Sequence, residues 1–510
     1  MLRPPMFLAI AAAALVAAFQ SSRATDAFDA RVARFEKQVD ALRERLLIPG
    51  MSAVIVRDGA PAWVKGFGFA DVEAKTPATP DTLYHVASLT KTLAATLLWQ
   101  LVEQDKVSLD APISQFTSEI LNKSVQVKHV LSHTTDTPPG ERYRYDGNRY
   151  AALTAVLEKT TGKTFREMLV QTILDPLEMS SSVPGHNVVD DPATWEPKLG
   201  KADLERYRKN LTRLAKPYRL WGGDRFPVPY PPKDISASAG LLSTVVDMAK
   251  FDAAIDAHRF LKPETQERAW TPFVSFAGEK LSHAYGWFAK ELHGERVIWH
   301  FGHWGTGFSA TYVKVPARKL SLILIANSEG LSDAFYGDGG IETNAFAVEF
   351  LRIFVLENAL ATPLPDPDWS ASKDAFEAQI ARFAAAANRY DYAEERHAIA
   401  DVDGWIDRSR ARAPKEVQLP KSLLAGYAGT YRFNATRSVT VKLREADGRL
   451  TIDAVDVQNG PAHDLFAESE TKFFMKYWGV TVTFTRDASG KTTALDLTAY
   501  RETTRATRDP

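Results

Sequence analysis

Hydrophobic patterning changes character along this chain, and a proline-rich break at Pro363, Pro365 and Pro367 marks the place. Before it, from about Ala27 to Leu360, apolar strand runs mix with helical ones. Val54-Ile55-Val56 and Trp63-Val64 flank an Arg57-Asp58-Gly59 turn and read as an antiparallel pair. Leu322 to Ala326 reads as a buried strand, and Leu89 to Val102 and Tyr150 to Glu158 read as helices. After the break comes a charged, alanine-rich helical connector. From Leu423 on the chain is β-rich. Val439 to Leu443 and Leu450 to Ile452 flank Asp447-Gly448, and Val480 to Phe484 and Leu495 to Leu497 flank Ser489-Gly490. Two hairpins with alternating faces predict a small barrel or curled sheet. With 510 residues the chain is too long for one ordinary core. The organisation expected is a mixed domain over 27–360, a connector over 361–415 and a small β domain over 416–510.

Charge and cysteine content narrow the function. Lys plus Arg (62) and Asp plus Glu (63) nearly cancel, so nothing favours a nucleic-acid partner. There is no cysteine, which removes disulfides, thiolate metal sites and thiol catalysis. At the N-terminus, Arg3 precedes an apolar run from Met6 to Phe19, followed by small residues before possible cleavage points after Ala18 or Ala24. That run is shorter than the ~20 residues of a membrane span and predicts a signal peptide over 1–24, with an uncleaved anchor as the alternative. The mature protein is expected to be exported, periplasmic or secreted, without stable membrane insertion.

Ser88-Leu89-Thr90-Lys91 places a hydroxyl and an amine on one helical face, a turn apart. A serine becomes a nucleophile when a base takes its proton, and lysine is such a base only where burial or a neighbouring cation keeps it neutral. The spacing recurs at Ser370 to Lys373 and Ser469 to Lys472, in polar surroundings that would not desolvate the amine. Ser88 instead opens an apolar helix bearing Leu93, Leu97, Leu98 and Leu101, whose N-terminal N–H groups face the serine.

The stretch Tyr84 to Gln115 resembles the active-site segment of class C β-lactamases and their relatives, the DD-peptidases and β-lactamase-like esterases. Val125 to Thr135, Tyr145 to Met179, Ala239 to Thr244, Tyr285-Gly286-Trp287 and Ile325 to Ser328 follow in that family's order. The resemblance covers about Ala27 to Leu360. It implies an α+β fold, an antiparallel sheet flanked by helices plus an all-helical cluster, with Ser88 at their junction. The last zone resembles the small, lipocalin-like β-barrel that many bacterial members carry.

The same resemblance implies the remaining roles. The family's Tyr-x-Asn motif falls on Tyr145-Asp146-Gly147, so the phenol is kept while the amide is displaced to Asn148. Tyr145 is expected to relay a proton between Lys91 and the leaving group. The third motif, Lys or His two residues before Gly, has overlapping candidates in His300-Phe301-Gly302 and His303-Trp304-Gly305. His300 is preferred, because Val297-Ile298-Trp299 makes it a strand end. Its side chain is then expected in the pocket, with the His303 and Ser88 N–H groups forming the oxyanion hole. Two histidines three apart on a strand face opposite ways, so a metal is not expected, and no cofactor is required. His133 is expected to pack beneath the site loop. Trp287, Trp299 and Trp304 suit core or substrate wall, and Pro184 to Lys233 reads as a long irregular stretch over the pocket. The chemistry expected is two-step acyl transfer on an ester or a D-peptide-like amide. A β-lactamase or DD-carboxypeptidase, and a non-catalytic penicillin-binding sensor, are the alternatives.

Overall fold

The computed structural model describes residues 27–356 and 415–509, apart from 222–223, 277, 282, 293, 305–306, 333–339, 342–343, 434–437, 454–461, 476–479 and 500–501. The expected signal peptide, the Ser370 copy of the spacing and nearly all of the connector lie outside the described residues. The chain divides into two compact units, one formed by 1–215, 232–304 and 308–403, the other by 216–231, 305–307 and 404–510. Among the described residues no helix is long and apolar enough to cross a membrane.

In the first unit, β1 (Gly50–Arg57), β2 (Ala60–Asp71), β3 (Thr76–Pro77), β4 (Phe288–Leu292), β5 (Glu295–Trp304), β6 (Phe308–Val315) and β7 (Leu320–Ala326) build one antiparallel sheet in the order β3-β2-β1-β7-β6-β5-β4. The expected hairpin at its start turns on Asp58 and Gly59, with φ of 51° and 77°. Two left-handed residues give a turn whose twist matches that of the strands. β6 and β7 are buried along their whole length because both sheet faces are covered. On one face Val54, Val56, Ala310, Tyr312, Ile323 and Ile325 share a core with the helical cluster. On the other, Trp63 stands opposite Ile55 and meets Phe35 of helix 27–45, whose ring also lies 6.0 Å from Phe350 of helix Ala345–Phe354. A buried polar tie locks helix Val245–Asp256 to β6. Lys314 Nζ lies 3.0 Å from Asp252 and 2.7 Å from Asp256, and Tyr312 donates to Asp252 at 2.5 Å.

The expected helices are Thr90–Glu103 and Leu153–Thr161. The first is buried on nearly every side because it runs through the middle of the unit. The second stops at Gly162, whose φ of 71° suits a left-handed C-cap. The stretch Pro184 to Lys233 corrects an expectation, since much of it is regular. Asp191 caps helix Pro192–Leu199, which begins with its proline at a position where no N–H is needed, and Lys201–Leu211 follows. Tyr218–Trp221 and Asp224–Pro227 pair as a hairpin.

The second unit holds a closed antiparallel barrel of strands Gly429–Arg432, Ser438–Arg444, Arg449–Ile452, His463–Ala467, Lys472–Phe474, Thr481–Arg486, Thr492–Ala499 and Glu502–Arg508. Both predicted hairpins are present, and Tyr431 opposite Arg508 closes the ring. Its core contains Tyr427, Tyr431, Phe473 and Phe484, with Tyr427 stacked on Phe484 at 4.4 Å.

Candidate active site

The segment before Ser88 is held from both sides. Tyr84–His85 pairs with Leu241–Ser243, and Val86 N–H donates to Leu241 C=O at 3.0 Å. Ala87 then takes a left-handed φ of 48°, unusual for a residue with a Cβ, and its N–H donates to His85 Nδ1 at 3.1 Å. That bend turns the chain into a 3-10 segment (Ala87–Leu89) continued by the Thr90–Glu103 helix. Ser88 sits in the first turn, where its N–H has no helical acceptor, and 8% of it reaches solvent.

Lys91 lies one turn on and has no accessible surface. Its Nζ is 2.8 Å from Ser88 Oγ, 3.0 Å from the Ser238 carbonyl and 3.1 Å from Ser238 Oγ. Burial pulls the amine down to about 7, against the opposing pull of the Asp146 carboxylate. Near neutral pH a large fraction is therefore an unprotonated base.

Tyr145 belongs to a layer of rings beside this amine. Lys91 Nζ lies 5.1 Å from the Tyr145 ring centre and 5.2 Å from that of Tyr150. His133 is sandwiched with them, stacked at 4.3 Å on Tyr145 and 5.1 Å on Tyr150, and its Nδ1 accepts from Asp146 N–H at 3.1 Å. His283 meets His133 edge-on at 4.8 Å. Burial holds both imidazoles below their ordinary range, hence neutral. The displaced amide does not take the vacant motif place, since Asn148 is exposed and Gly147 faces the lysine. Ser238 does make contact there, a residue not singled out from sequence. Its signal was position alone, directly before the family-like Ala239 to Thr244 block.

β5 brings in the third motif. Its residues 300–304 run beyond β4, which pairs only with Glu295 to Trp299. Gly302 lies flat against the nucleophile segment, so close that a Cβ there would stand 2.3 Å from Val86 O. His300 shares the Gly302 side of the strand, while His303 lies on the other, with Nδ1 3.4 Å from Ser332 Oγ. The expectation that His300 lines the pocket needs correction. Its ring has no accessible surface, sits 6.5 Å from that of Tyr145 and 5.6 Å from that of Phe288, and uses Nδ1 on the Phe301 carbonyl at 2.7 Å. It backs the Tyr145 layer, and burial together with Lys91 keeps it neutral. Trp287 and Trp299 are core residues, whereas half-buried Trp304 packs against His85 at 5.5 Å.

The Ser469 copy of the spacing is assembled differently. Ser469 is exposed, and Lys472 Nζ is paired with Glu468 at 3.0 Å instead of facing the serine hydroxyl alone.

A buried Ser-x-x-Lys pair, opening a helix beside an antiparallel sheet, defines a protein of the penicillin-recognising fold. The chain belongs to the β-lactamase family, whose profile ("Beta-lactamase") matches residues 35–342. A second profile, "Domain of unknown function (DUF3471)", matches residues 413–508. Relatives include an unguisins hydrolase of Aspergillus campestris, 24% identical over 365 residues that cover 60% of this chain and 64% of that protein. A D-aminopeptidase of Gluconobacter oxydans is 23% identical over 334 residues, covering 59% of each. The chain thus spans about three fifths of the length of these curated relatives. Among solved structures, the octameric penicillin-binding protein homologue from Pyrococcus abyssi superposes with a TM-score of 0.53 at 21% identity. That likeness covers 93% of this chain and 99% of the other, and it shows the fold.

Proposed function

We propose that this chain is a serine hydrolase that cleaves an ester or a D-peptide-like amide through an acyl-enzyme. The observation that carries the reading is Lys91 Nζ at 2.8 Å from Ser88 Oγ, buried and pulled down to about 7. In this mechanism neutral Lys91 takes the Ser88 proton as Oγ attacks the carbonyl carbon. The oxygen's developing charge is held by the Ser88 and His303 N–H groups, each such donor contributing about 3 kcal/mol. Tyr145 passes the proton to the leaving group, and His300 holds the Tyr145 layer from behind. Water then releases the acyl group by the reverse route. The family relatives named a hydrolase and a D-aminopeptidase support this class of bond.

A β-lactamase or DD-carboxypeptidase is the second reading, and the neutral His300 weighs against it. An uncharged imidazole in the third motif offers a substrate carboxylate less than a lysine ammonium would. The assembled Ser88–Lys91 pair weighs against a non-catalytic sensor. Export is part of the proposal, carried by the Met6 to Phe19 run and checked by sequencing the mature N-terminus.

The test is a fluorophosphonate probe followed by a panel of esters, D-amino-acid peptides and β-lactams. Labelling should map to Ser88, disappear in Ser88→Ala and persist in Ser370→Ala and Ser469→Ala. Labelling that survives Ser88→Ala sinks the assignment.

A further inference from the structure

We propose that the Ser238 side chain is a positioning residue that turns the lone pair of Lys91 toward Ser88, in place of the amide that residue 147 lacks. The inference rests on the hydrolase reading above and deepens it. A neutral amine carries two N–H bonds and one lone pair, so three neighbours divide into two acceptors and one donor. Lys91 Nζ has three oxygens in reach: Ser88 Oγ at 2.8 Å, the Ser238 carbonyl at 3.0 Å and Ser238 Oγ at 3.1 Å. The carbonyl can only accept. Ser238 Oγ gives its own proton to the Gly147 carbonyl at 2.7 Å, so toward Lys91 it also acts as acceptor. Both N–H bonds of the neutral amine are thereby assigned to Ser238. The remaining direction belongs to the lone pair, and it faces the Ser88 hydroxyl. In the ammonium state the third N–H occupies that direction, and Ser88 has no base.

Gly147 explains why a serine takes this task. An ideal Cβ on residue 147 would stand 3.5 Å from Ser238 Oγ and 3.7 Å from Lys91 Nζ, ordinary contact distances. A side chain there would point at this pair, and the chain has none. Among the described residues, the other groups around Lys91 do not supply a second fixed acceptor in these contacts. Asp146 acts on it through its charge, Tyr145 and Tyr150 present ring faces, and His133, His283 and His300 are held neutral by burial.

The experiment is the pH profile of kcat/KM for an activated ester, with the rate of Ser88 labelling as a parallel readout, in Ser238→Ala, Ser238→Thr and Ser238→Ala/Gly147→Asn. Ser238→Ala should lower the plateau about 10- to 100-fold, the usual effect of a misoriented catalytic group. Its acid limb should move to lower pH, because the ammonium loses an acceptor that favoured it. Ser238→Thr keeps the hydroxyl and should stay near wild type. Gly147→Asn should recover activity in the Ser238→Ala background, its amide oxygen replacing the lost acceptor. A wild-type plateau and limb in Ser238→Ala overturn the inference while leaving Ser88 as nucleophile. A loss without limb movement, unrescued by threonine, also overturns it as a merely structural effect. If wild type itself is not labelled at Ser88, the hydrolase reading fails and this inference falls with it.

Discussion

Lys91 carries a cost that its replacement should reveal. The amine has an ordinary value of 10.5 and is held by burial at about 7 in the folded chain. For a base with a depressed folded value, the penalty is complete below pH 7, where both states are protonated. It fades as pH rises toward 10.5, where both are neutral. Worked through, the folded chain loses about 5 kcal/mol at pH 6 and about 2 kcal/mol at pH 9. Lys91→Met removes this term while leaving Ser88 Oγ and the two Ser238 oxygens short of a partner, a loss of about 1–3 kcal/mol that does not titrate. Relative to wild type, the variant should therefore be about 3 kcal/mol better off at pH 6 than at pH 9. The assay is urea unfolding of both proteins at the two pH values, followed through the first unit. Buried His133, His283 and His300 are present in both chains and largely cancel. The same value makes wild-type kcat/KM rise about tenfold from pH 6 to 8, and Lys91→Met should be inactive throughout. Equal stability differences at pH 6 and pH 9 would refute a buried, depressed lysine.

Two further substitutions probe β5. Gly302→Ala puts a methyl 2.3 Å from Val86 O and 3.1 Å from Ala310 Cβ, so strand and nucleophile segment must part. Turnover should fall about 100-fold and stability by about 1–3 kcal/mol, as read by kinetics and melts, and an active, unshifted variant would count against the close approach. His300→Ala should lower both turnover and melting temperature, because the ring is fully buried behind Tyr145. His303→Ala keeps its main-chain N–H and should be milder, whereas a dead but stable His303→Ala beside an active His300→Ala would move the motif by three residues.

What could be read from sequence follows the range of the interactions. Ser88 and Lys91 were legible because three residues and an apolar helix suffice to specify them, and the same local context set the Ser469 copy apart. The β1–β2 hairpin and both barrel hairpins announced themselves through turn residues between alternating runs. Closure of the barrel was left open by the hairpins alone and came only with the family resemblance, because Tyr431 and Arg508 meet across most of that unit. Ser238 escaped for the same reason. It reaches Lys91 from 147 residues away, and neither spacing nor periodicity encodes the contact. His300 was expected in the pocket, but whether a ring there meets solvent depends on Phe288 of the neighbouring strand and on Tyr145 from a distant segment. Pro184 to Lys233 misled because its prolines suggested a loop, although Pro192 opens a helix.

The value of Lys91 is a balance, and its anionic side is restrained by residues whose pattern looks incidental in the sequence. Burial alone would carry the amine down, while Asp146 pulls it back. An unshielded carboxylate this close to a desolvated amine would favour the ammonium strongly and leave Ser88 without a base. Asp146 is not unshielded. Arg149 Nε lies 3.5 Å and Arg144 Nη2 3.7 Å from its Oδ2, and its Oδ1 caps the Gly147–Tyr150 turn by accepting from Arg149 N–H at 2.9 Å. Asp136 binds both arginines in turn, at 2.6 Å and 2.7 Å, which keeps them gathered at that carboxylate. The Asp146 charge is thus spent largely on its own cations and on the backbone that positions Tyr145. With the neighbouring imidazoles neutral, Lys91 is the titrating cation at this centre. Protonation at this centre therefore follows Lys91, through the balance between burial and the restrained pull of Asp146.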